Sequence, residues 1–440
     1  MRSSSKRIFA DLSLMTADSF IEKSRLLKES HFTRRRKMPL NNLLLSVKFR
    51  KGRTLYMELR DFKKLFKMKT KISKPGYLKQ RMKLNAEAIK MLARHHAEQF
   101  YKDPSAVKTW KSHLILAVDG TTLNIPLTEE NLARYGNSAK HGGRARPQIG
   151  LSSLFDVLNR VIIDMNTTSC KINERAEAIS HIANTAEVTD NKACIYIFDR
   201  GYPSGEFFLD LMERNVKFLI RLGSASFRRE QKGMSTADCI VNIVFDKTRI
   251  SACKKEESAN RLASVGSVAL RFVHMKLDNG GDEYLATNIG DDLFNTEEIF
   301  SLYRMRWGIE TVFDDLKNKL QIENFTGEKQ IIMEQDIYAT MYLSNIINDI
   351  MQDIATEIAR KDVQNRKHAM QLNRNVAIGI IKEDLILVLL EKRLRKRTYM
   401  MESIVREIES NLLPVRPDRN FSRPIGKLAS KYSNVRKRSF

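Results

Sequence analysis

The stretch that decides the fold is HLILAVDG at residues 113–120, in which five apolar side chains lead into Asp119 and Gly120. A short apolar run that stops at an Asp-Gly pair predicts a buried β-strand followed by a turn. A second run of the same kind, ACIYIF at residues 193–198, leads into Asp199. The segments around these runs predict a third such strand at 216–221, two strands of a meander at 148–155 and 157–165, and helices at 174–187 and 204–214. The pattern predicts an α/β core.

The second half of the chain predicts an insertion followed by helices. Short alternating stretches at 240–245, 268–275 and 284–289 are separated by Gly, Asn and Asp, which predicts antiparallel strands inserted into the core. Asn295 and Glu298 have the spacing of a capping box and predict one long helix that runs to about residue 320. Further helical patterns cover 330–360 and 380–410.

The charge is concentrated at the two ends of the chain. The net charge is +24, from 76 Lys and Arg against 52 Asp and Glu; residues 1–100 carry +18, residues 411–440 carry +7, and the middle sums to −1. A lysine-rich helix, such as the one predicted from Ser73 to Leu92, can simply be a solvated face. A whole helical segment at +18 is better explained by contacts with phosphates. The candidate DNA contacts here are the consecutive residues Arg34, Arg35, Arg36 and Lys37.

Composition excludes several classes of protein. With 42% hydrophobic and 29% charged residues, the chain can bury real cores and is not a disordered protein. Its four cysteines are far apart and form no CxxC pair, so neither a disulfide scaffold nor a zinc finger is expected. No apolar run approaches the roughly 18–20 residues that span a bilayer. We therefore expect a soluble, cytoplasmic protein with no membrane partner.

Three carboxylates are the candidate catalytic residues. Asp119 and Asp199 each follow an apolar strand, and side chains at the carboxyl ends of central strands meet in a crevice. Either aspartate alone could simply turn the chain. In the helix predicted from residue 296, a polar stripe that includes Glu310 shares one face; its other members are Tyr303, Arg306, Trp307, Asp314 and Lys317.

Three such carboxylates are the minimum set that holds two divalent cations for in-line phosphoryl transfer. Mg²⁺ suits these oxygen ligands, and Mn²⁺ is expected to substitute for it. We expect Asp119 to bridge two ions, Asp199 to hold one and Glu310 the other. Arg306 and Lys317 are expected to neutralise flanking phosphates, and Tyr303 to position a phosphate or stack near a base.

The order Tyr303-x₂-Arg306-x₃-Glu310-x₆-Lys317 resembles the YREK signature of bacterial insertion-sequence transposases with a DDE active site, in insertion sequence family four. Val118-Asp119-Gly120 and Asp199-Arg200-Gly201-Tyr202 are similar to the first and second acidic motifs of that family. The resemblance covers roughly residues 30–350. It implies a ribonuclease H-like mixed-sheet core with a β-rich insertion, flanked by helical basic N-terminal and C-terminal regions.

The resemblance also implies a function. Such enzymes cut the ends of their element and join them to target DNA, in several cases through a DNA hairpin whose flipped base is held by aromatic side chains such as Trp307. Arg200, inside the second motif, is a further candidate DNA contact. The implied partners are double-stranded DNA, as terminal inverted repeats and target, and a second copy of the chain in a synaptic complex at the nucleoid.

Two other functions stay open on the sequence alone. One is a catalytically silent DNA-binding protein derived from a transposase, and the other is a structure-selective nuclease on the same fold. The expected organisation is a helical basic DNA-binding region at 1–105, a catalytic core at 106–222 and 291–350, a β-rich insertion at 223–290, and a helical region with a basic tail at 351–440.

Overall fold

The computed structural model describes residues 1–33, 38–138, 145–253, 255–277, 280–361 and 370–415. The cluster Arg34, Arg35, Arg36 and Lys37 lies outside the described residues, as does most of the basic tail. The chain forms two compact units. The first comprises the described parts of Met1–Val107, Thr122–Ile149 and Phe313–Phe440, and the second comprises Lys108–Thr121 and Gly150–Val312.

The helices are α1 (Ser3–Leu14), α2 (Asp18–Lys23), α3 (Leu40–Lys48), α4 (Leu55–Leu65), α5 (Lys74–Arg81), α6 (Ala86–Tyr101), α7 (Glu129–Tyr135), α8 (Glu174–Val188), α9 (Gly205–Glu213), α10 (Arg228–Lys232), α11 (Lys247–Ser251), α12 (Glu256–Val265), α13 (Thr296–Arg304), α14 (Trp307–Asp314), α15 (Gln330–Lys361), α16 (Arg374–Leu390) and α17 (Leu394–Glu409). The strands are β1 (Leu114–Asn124), β2 (Gln148–Asp156), β3 (Val161–Thr168), β4 (Cys194–Phe198), β5 (Lys217–Leu222), β6 (Asp238–Val244), β7 (Ser267–Lys276), β8 (Asp282–Thr287), β9 (Met370–Leu372) and β10 (Leu412–Pro414).

One eight-stranded sheet has the order β3-β2-β1-β4-β5-β8-β7-β6. Strand β4 is parallel to both β1 and β5, whereas β2 and β3 are antiparallel. Strands β8, β7 and β6 continue the sheet beyond β5 in antiparallel pairs. The order of the first five strands, with its parallel centre and antiparallel β2–β3 pair, is the ribonuclease H-like mixed core that the resemblance implies. The predicted fold class is confirmed. The predicted domain boundaries stay predictions.

Helix α13 packs on this sheet through its apolar face. Ile299, Phe300, Leu302 and Tyr303 join one buried cluster with residues of five strands, namely Ile115, Ile195, Ile197, Leu219, Val273 and Leu285. The predicted capping box starts the helix: the Asn295 side chain accepts a hydrogen bond from the amide of Glu298, and the Glu298 side chain accepts one from the amide of Asn295. The capping box fixes where this helix begins, and its buried apolar face fixes which side packs on the sheet.

Two sequence predictions near the candidate site are wrong in detail. The helix predicted from residue 296 to about 320 is broken at Met305 and Arg306, and after α14 it widens into a π-helical turn at Asp315–Lys319. The stripe of polar residues therefore does not share the face of one straight helix. Asp119 does not end its strand either, because β1 continues to Asn124.

In the first unit the helices are held together around α15, which packs against α6, α3 and α1. The helix predicted from Ser73 to Leu92 is in fact two helices. Ser73 does cap α5, but that helix ends at Arg81. Asn85 then caps α6, because its side chain accepts a hydrogen bond from the amide of Glu87. None of the described helices is both long enough and apolar enough to cross a membrane.

Candidate active site

The two predicted aspartates lie side by side on the central parallel strands of the second unit. Ala117 of β1 is the register partner of Ile197 of β4, and Asp119 and Asp199 each follow two residues later. Side chains two residues apart on a strand point to the same face. The amide of Gly120 donates to the Oδ1 atom of Asp119 at 2.8 Å, and the amide of Gly201 donates to the Oδ1 atom of Asp199 at 2.8 Å.

The site is crowded with negative charge. Burial, together with the neighbouring carboxylates of Asp199 and Glu174, raises the pKa of Asp119 to about 6. The Gly120 amide and Arg306 have the opposite effect. Like charges close together in a half-buried place disfavour ionisation. Carboxylates with a raised pKa in such a crevice are typical of sites that bind a cation or transfer a proton.

Arg306 joins the third predicted acid to this pair. Its Nη1 atom lies 3.5 Å from the Oδ2 atom of Asp119, and its Nη2 atom donates to the Oε1 atom of Glu310 at 2.7 Å. Burial opposes the charge of Arg306, but the hydrogen bond to Glu310 and the charges of Tyr303, Glu310 and Asp119 together outweigh it and raise the pKa of the guanidinium. The side chain of Glu310 is 38% exposed, whereas that of Asp119 is 18% exposed. Arg306 thus links Asp119 to Glu310, while Asp199 follows the neighbouring strand β4 at the position that matches Asp119.

The aromatic residues of the signature flank the same arginine. The guanidinium carbon of Arg306 lies 6.0 Å from the ring centroid of Tyr303 and 5.5 Å from that of Trp307. Tyr303 is buried; burial raises its pKa, which Arg306 and Arg221 oppose. Trp307 is 46% exposed, so its ring is available to a ligand.

The two remaining predicted contacts differ in position. Arg200 is exposed, next to Asp199. Lys317 lies in the π-helical turn and belongs to the first unit, where burial lowers the pKa of its ammonium group against the attraction of Glu323.

Sequence reasoning missed one residue of the site. Glu174, the first residue of α8, is the carboxylate named above as a neighbour of Asp119. No motif identifies it, because acidic residues are common in the first turn of any helix. The only sequence signal was the predicted start of a helix at residue 174, directly after the β2–β3 hairpin.

A comparison with protein families matches residues 110–346 to the transposase DDE domain, which is more than half of the chain. This chain belongs to that family. Its Asp119, Asp199 and Glu310 all lie within the matched residues. The family assignment therefore rests on the whole domain and not on the four-residue signature alone.

Individual relatives of this chain are distant. A segment of 96 residues is 29% identical to the InsL transposase assigned to insertion sequence element IS186A of Escherichia coli strain K12, and equally so to the transposase for insertion sequence element IS421 of Escherichia coli. That segment is 22% of this chain and only 26% of each relative. A solved structure of piggyBac transposase in a synaptic complex with hairpin DNA aligns over 95% of this chain and 88% of its own, at 10% identity and a TM-score of 0.44.

The acids of this site fit a metal ion by their chemistry, although they do not yet surround one point. Among the residues that the structure describes, no group of three Asp, Glu, His or Cys side chains already surrounds a common point. The donor chemistry fits nonetheless: Asp119, Asp199 and Glu310 offer the oxygen atoms that hard divalent cations prefer.

Exposed lysines of the first unit form a further feature that the motifs did not show. From the end of α4 through α5, the chain exposes Lys64, Lys67, Lys69, Lys71, Lys74 and Lys79. The Nζ atom of Lys71 lies 5.9 Å from the ring centroid of Tyr56, which is itself exposed. We call the six residues the lysine segment. Such a mixture of lysines and an exposed aromatic ring is suited to a phosphate backbone.

Proposed function

We propose that this protein is a transposase that cuts the ends of its insertion sequence and joins them to target DNA by two-metal-ion phosphoryl transfer. The observation that carries the proposal is the link that Arg306 makes between Asp119 and Glu310, with Asp199 at the matching position after the neighbouring parallel strand. The family supplies the reaction class, and these contacts supply a site for it within this chain.

Asp119, Asp199 and Glu310 would hold two Mg²⁺ ions, for which Mn²⁺ would substitute. When bound, the ions supply an activated water or 3′-hydroxyl and stabilise the leaving oxygen. The chain must keep the carboxylates ionised for this purpose. Arg306 contributes to that, since its charge favours the ionised form of Asp119. Its hydrogen bond also orients the Glu310 carboxylate.

The residues around the acids would bind DNA. Arg306 and Tyr303 would hold a phosphate next to the reacting bond, and Lys317 would contact a flanking phosphate once DNA is bound. The exposed ring of Trp307 would stack on a base, which in a hairpin mechanism is the flipped one. Exposed Arg200 would contact the backbone nearby.

The proposed partners are the terminal inverted repeats and a target duplex. The lysine segment is our proposed contact with the phosphates of the ends, together with Arg34, Arg35, Arg36 and Lys37. Cutting two ends requires two active sites, so we propose a homodimer in the synaptic complex. With DNA as substrate, we propose that the reaction takes place in the bacterial cytoplasm, at the nucleoid.

Cleavage of a duplex that carries the element's inverted repeats tests this proposal. We expect nicking and strand joining that require Mg²⁺ or Mn²⁺. Glu310→Gln should lower the rate by at least about a hundredfold, because loss of a direct ligand exceeds the effect of an outer residue. The matched control Glu297→Gln removes an exposed charge from α13 and should leave the rate unchanged.

Each alternative function has its own outcome in the same assay. Specific binding of the ends without cleavage in either metal would establish a silent DNA-binding protein. Cleavage of branched or single-stranded DNA without regard to the end sequence, and without strand joining, would establish a structure-selective nuclease. Equal cleavage by Glu310→Gln and the unmodified chain would refute the assignment of the acids.

A further inference from the structure

Helix α8 begins beside the active site and is tied firmly to the sheet. Within the helix, His181 Nδ1 lies 2.7 Å from the Oδ2 atom of Asp164 on β3, and His181 Nε2 lies 3.0 Å from the Oγ atom of Ser152 on β2. All three side chains are buried. Because both partners are on the sheet, these bonds fix the rotation of α8 and therefore the direction in which its first residue, Glu174, points.

The carboxylate of Glu174 lies beside both Gly120 and Gly201. A Cβ atom built on Gly201 would lie 3.2 Å from the Oε2 atom of Glu174 and 3.1 Å from the Oδ1 atom of Asp199. One built on Gly120 would lie 3.7 Å from the Oε1 atom of Glu174. One carboxylate thus reaches the backbone that follows Asp119 and the backbone that follows Asp199.

The neighbouring Arg175 holds this arrangement in place. Its Nε atom donates to the carbonyl oxygen of Tyr202 at 2.8 Å, and its Nη2 atom reaches the carbonyl oxygens of Gly201 at 3.3 Å and Pro203 at 3.4 Å. The loop after β4 is therefore fastened to the start of α8. Glu174 and Asp199 stay close together because the same loop carries Asp199 at its beginning.

A capping role does not account for Glu174, because the side chain of Asn173 already caps α8 by accepting a hydrogen bond from the amide of Ala176. The carboxylate of Glu174 instead lies against the backbone that follows Asp119 and Asp199.

Tyr202 gives an independent indication of a ligand at this place. Its side chain is completely buried, and its hydroxyl oxygen has no hydrogen-bond partner among the described residues. The hydroxyl also lies within electrostatic range of Glu174, Asp119 and Asp199. An unpartnered hydroxyl costs free energy unless a ligand, or water bound to one, completes it.

We propose that Glu174 is a fourth metal-ligating carboxylate of this active site, which shares a divalent cation with Asp199 next to the hydroxyl of Tyr202. The inference rests on the proposed function, because that function puts the cations among these acids. It goes beyond the three acids of the motif, and it assigns a role to the start of α8.

Binding of Mn²⁺ alone to the full chain tests the proposal without DNA or catalysis. Free Mn²⁺ is followed by electron paramagnetic resonance, and calorimetry gives the stoichiometry. We expect Glu174→Gln to weaken one Mn²⁺ site by about tenfold or more, the least expected when an oxygen ligand becomes an amide. The matched control is Glu177→Gln, one turn later on α8, whose amide can still accept the hydrogen bond from Asn166. It should bind Mn²⁺ as the unmodified chain does.

Circular dichroism shows whether each variant is folded. If Glu174→Gln does not fold, Glu174→Asp carries the test, since it keeps the charge but withdraws the carboxylate by one methylene and should also weaken binding. Mn²⁺ affinity and stoichiometry equal to those of the unmodified chain would overturn the role of Glu174. Failure of the proposed function has a different signature: the unmodified chain would take up no Mn²⁺, or Asp199→Asn would bind it undiminished, and the fourth ligand would fall with it.

Discussion

At the scale of single residues, Asp119 shows that the site is built at a cost in stability. Its pKa in the folded chain is about 6, against an ordinary value of 3.8, so the folded state holds this proton more tightly than the unfolded state. The resulting stabilisation is present below pH 3.8 and is lost as the pH rises through about 6. At neutral pH the ionised carboxylate therefore destabilises the second unit.

We expect Asp119→Asn to raise the free energy of unfolding at pH 7 by about 1–3 kcal/mol, because one pKa unit corresponds to about 1.4 kcal/mol. The gain should disappear as the pH is lowered to about 4. Calorimetric Tm values between pH 4 and 7 measure it. Asp291→Asn, which neutralises an exposed carboxylate of the same unit, should leave the Tm unchanged. Equal Tm values for Asp119→Asn and the parent at pH 7 would contradict the argument.

The candidate site was predictable where a residue type and a spacing together carry information. Asp119 and Asp199 were found because an apolar strand leads into each of them, and Glu310 because it belongs to a spaced signature. Glu174 was not predictable, since its place beside Asp199 depends on how α8 returns to the sheet. Sequence spacing does not encode that return.

At the scale of elements, β4 and β5 were predicted closely, whereas β1 is longer than predicted and two helical predictions each run across a break. An apolar run bounded by Asp or Gly is a local signal, and it located β4 and β5 within one residue at each end. Helix breaks depend on competition between neighbouring segments. Asn85 offers a cap that starts α6 anew, although the apolar period continues across it. At Arg306 the helical spacing of the apolar residues likewise continues, yet the helix breaks there. The next helix, α14, packs against the β2–β3 turn.

Gly308 marks that contact of α14. A Cβ atom on Gly308 would lie 3.3 Å from both Cβ and Cγ1 of Val157, a stiff β-branched side chain. We expect Gly308→Val to destabilise the protein by about 1–3 kcal/mol through overpacking, and to lower cleavage by displacing Glu310. In the control Gly379→Val, the new Cβ on α16 meets no atom within 4 Å, and the effect should be near zero. Thermal unfolding compares the two, and similar Tm values would show that α14 is not tightly seated.

At the scale of the whole molecule, net charge overstates the positive charge available to DNA. Arg7 and Arg81, both in the basic first hundred residues, are buried and paired with Asp349 and Asp336. Lys48 is buried as well. These cations are part of the folded core, which the sequence could not show because their partners are more than 250 residues away. The exposed charge is concentrated instead in the lysine segment.

The buried charges make stability of the first unit depend on pH. Burial disfavours the charged form of His96, but Asp11 and Asp349 outweigh it and raise its pKa to about 9 from 6.5. This stabilisation is complete below pH 6.5 and is lost as the pH rises through 9. Burial lowers the pKa of Lys48 to about 8 from 10.5 despite Asp11, so its unfavourable contribution is relieved only above pH 8.

We therefore expect stability to fall by about 1–2 kcal/mol between pH 6.5 and 8 and then to level off, as the two groups oppose each other. Denaturant unfolding followed at pH 6.5, 7.2 and 8 measures the slope. His96→Gln should lower stability at pH 6.5 and flatten this part of the profile. A slope that persists in His96→Gln would mean that another group is responsible.

If the lysine segment holds DNA, the salt dependence of end binding should report it. Each phosphate contact adds about 0.9 to the slope of log affinity against log salt, so replacing Lys69, Lys71 and Lys74 by Gln should reduce the slope by up to about 2.7. Deleting residues 1–100 would be a poorer test, because it removes α6 and with it a partner of α15.

The matched control replaces three exposed lysines of the second unit, Lys217, Lys232 and Lys247, by Gln. Both triple variants lose the same net charge, so a difference in slope between them reports local contact and not the bulk field. We expect the control to keep most of the parent slope in fluorescence-anisotropy titrations from 50 to 300 mM salt, roughly the range over which phosphate contacts dominate. Equal slopes for the two variants would mean that the DNA lies elsewhere and that the charge of this segment acts only at a distance.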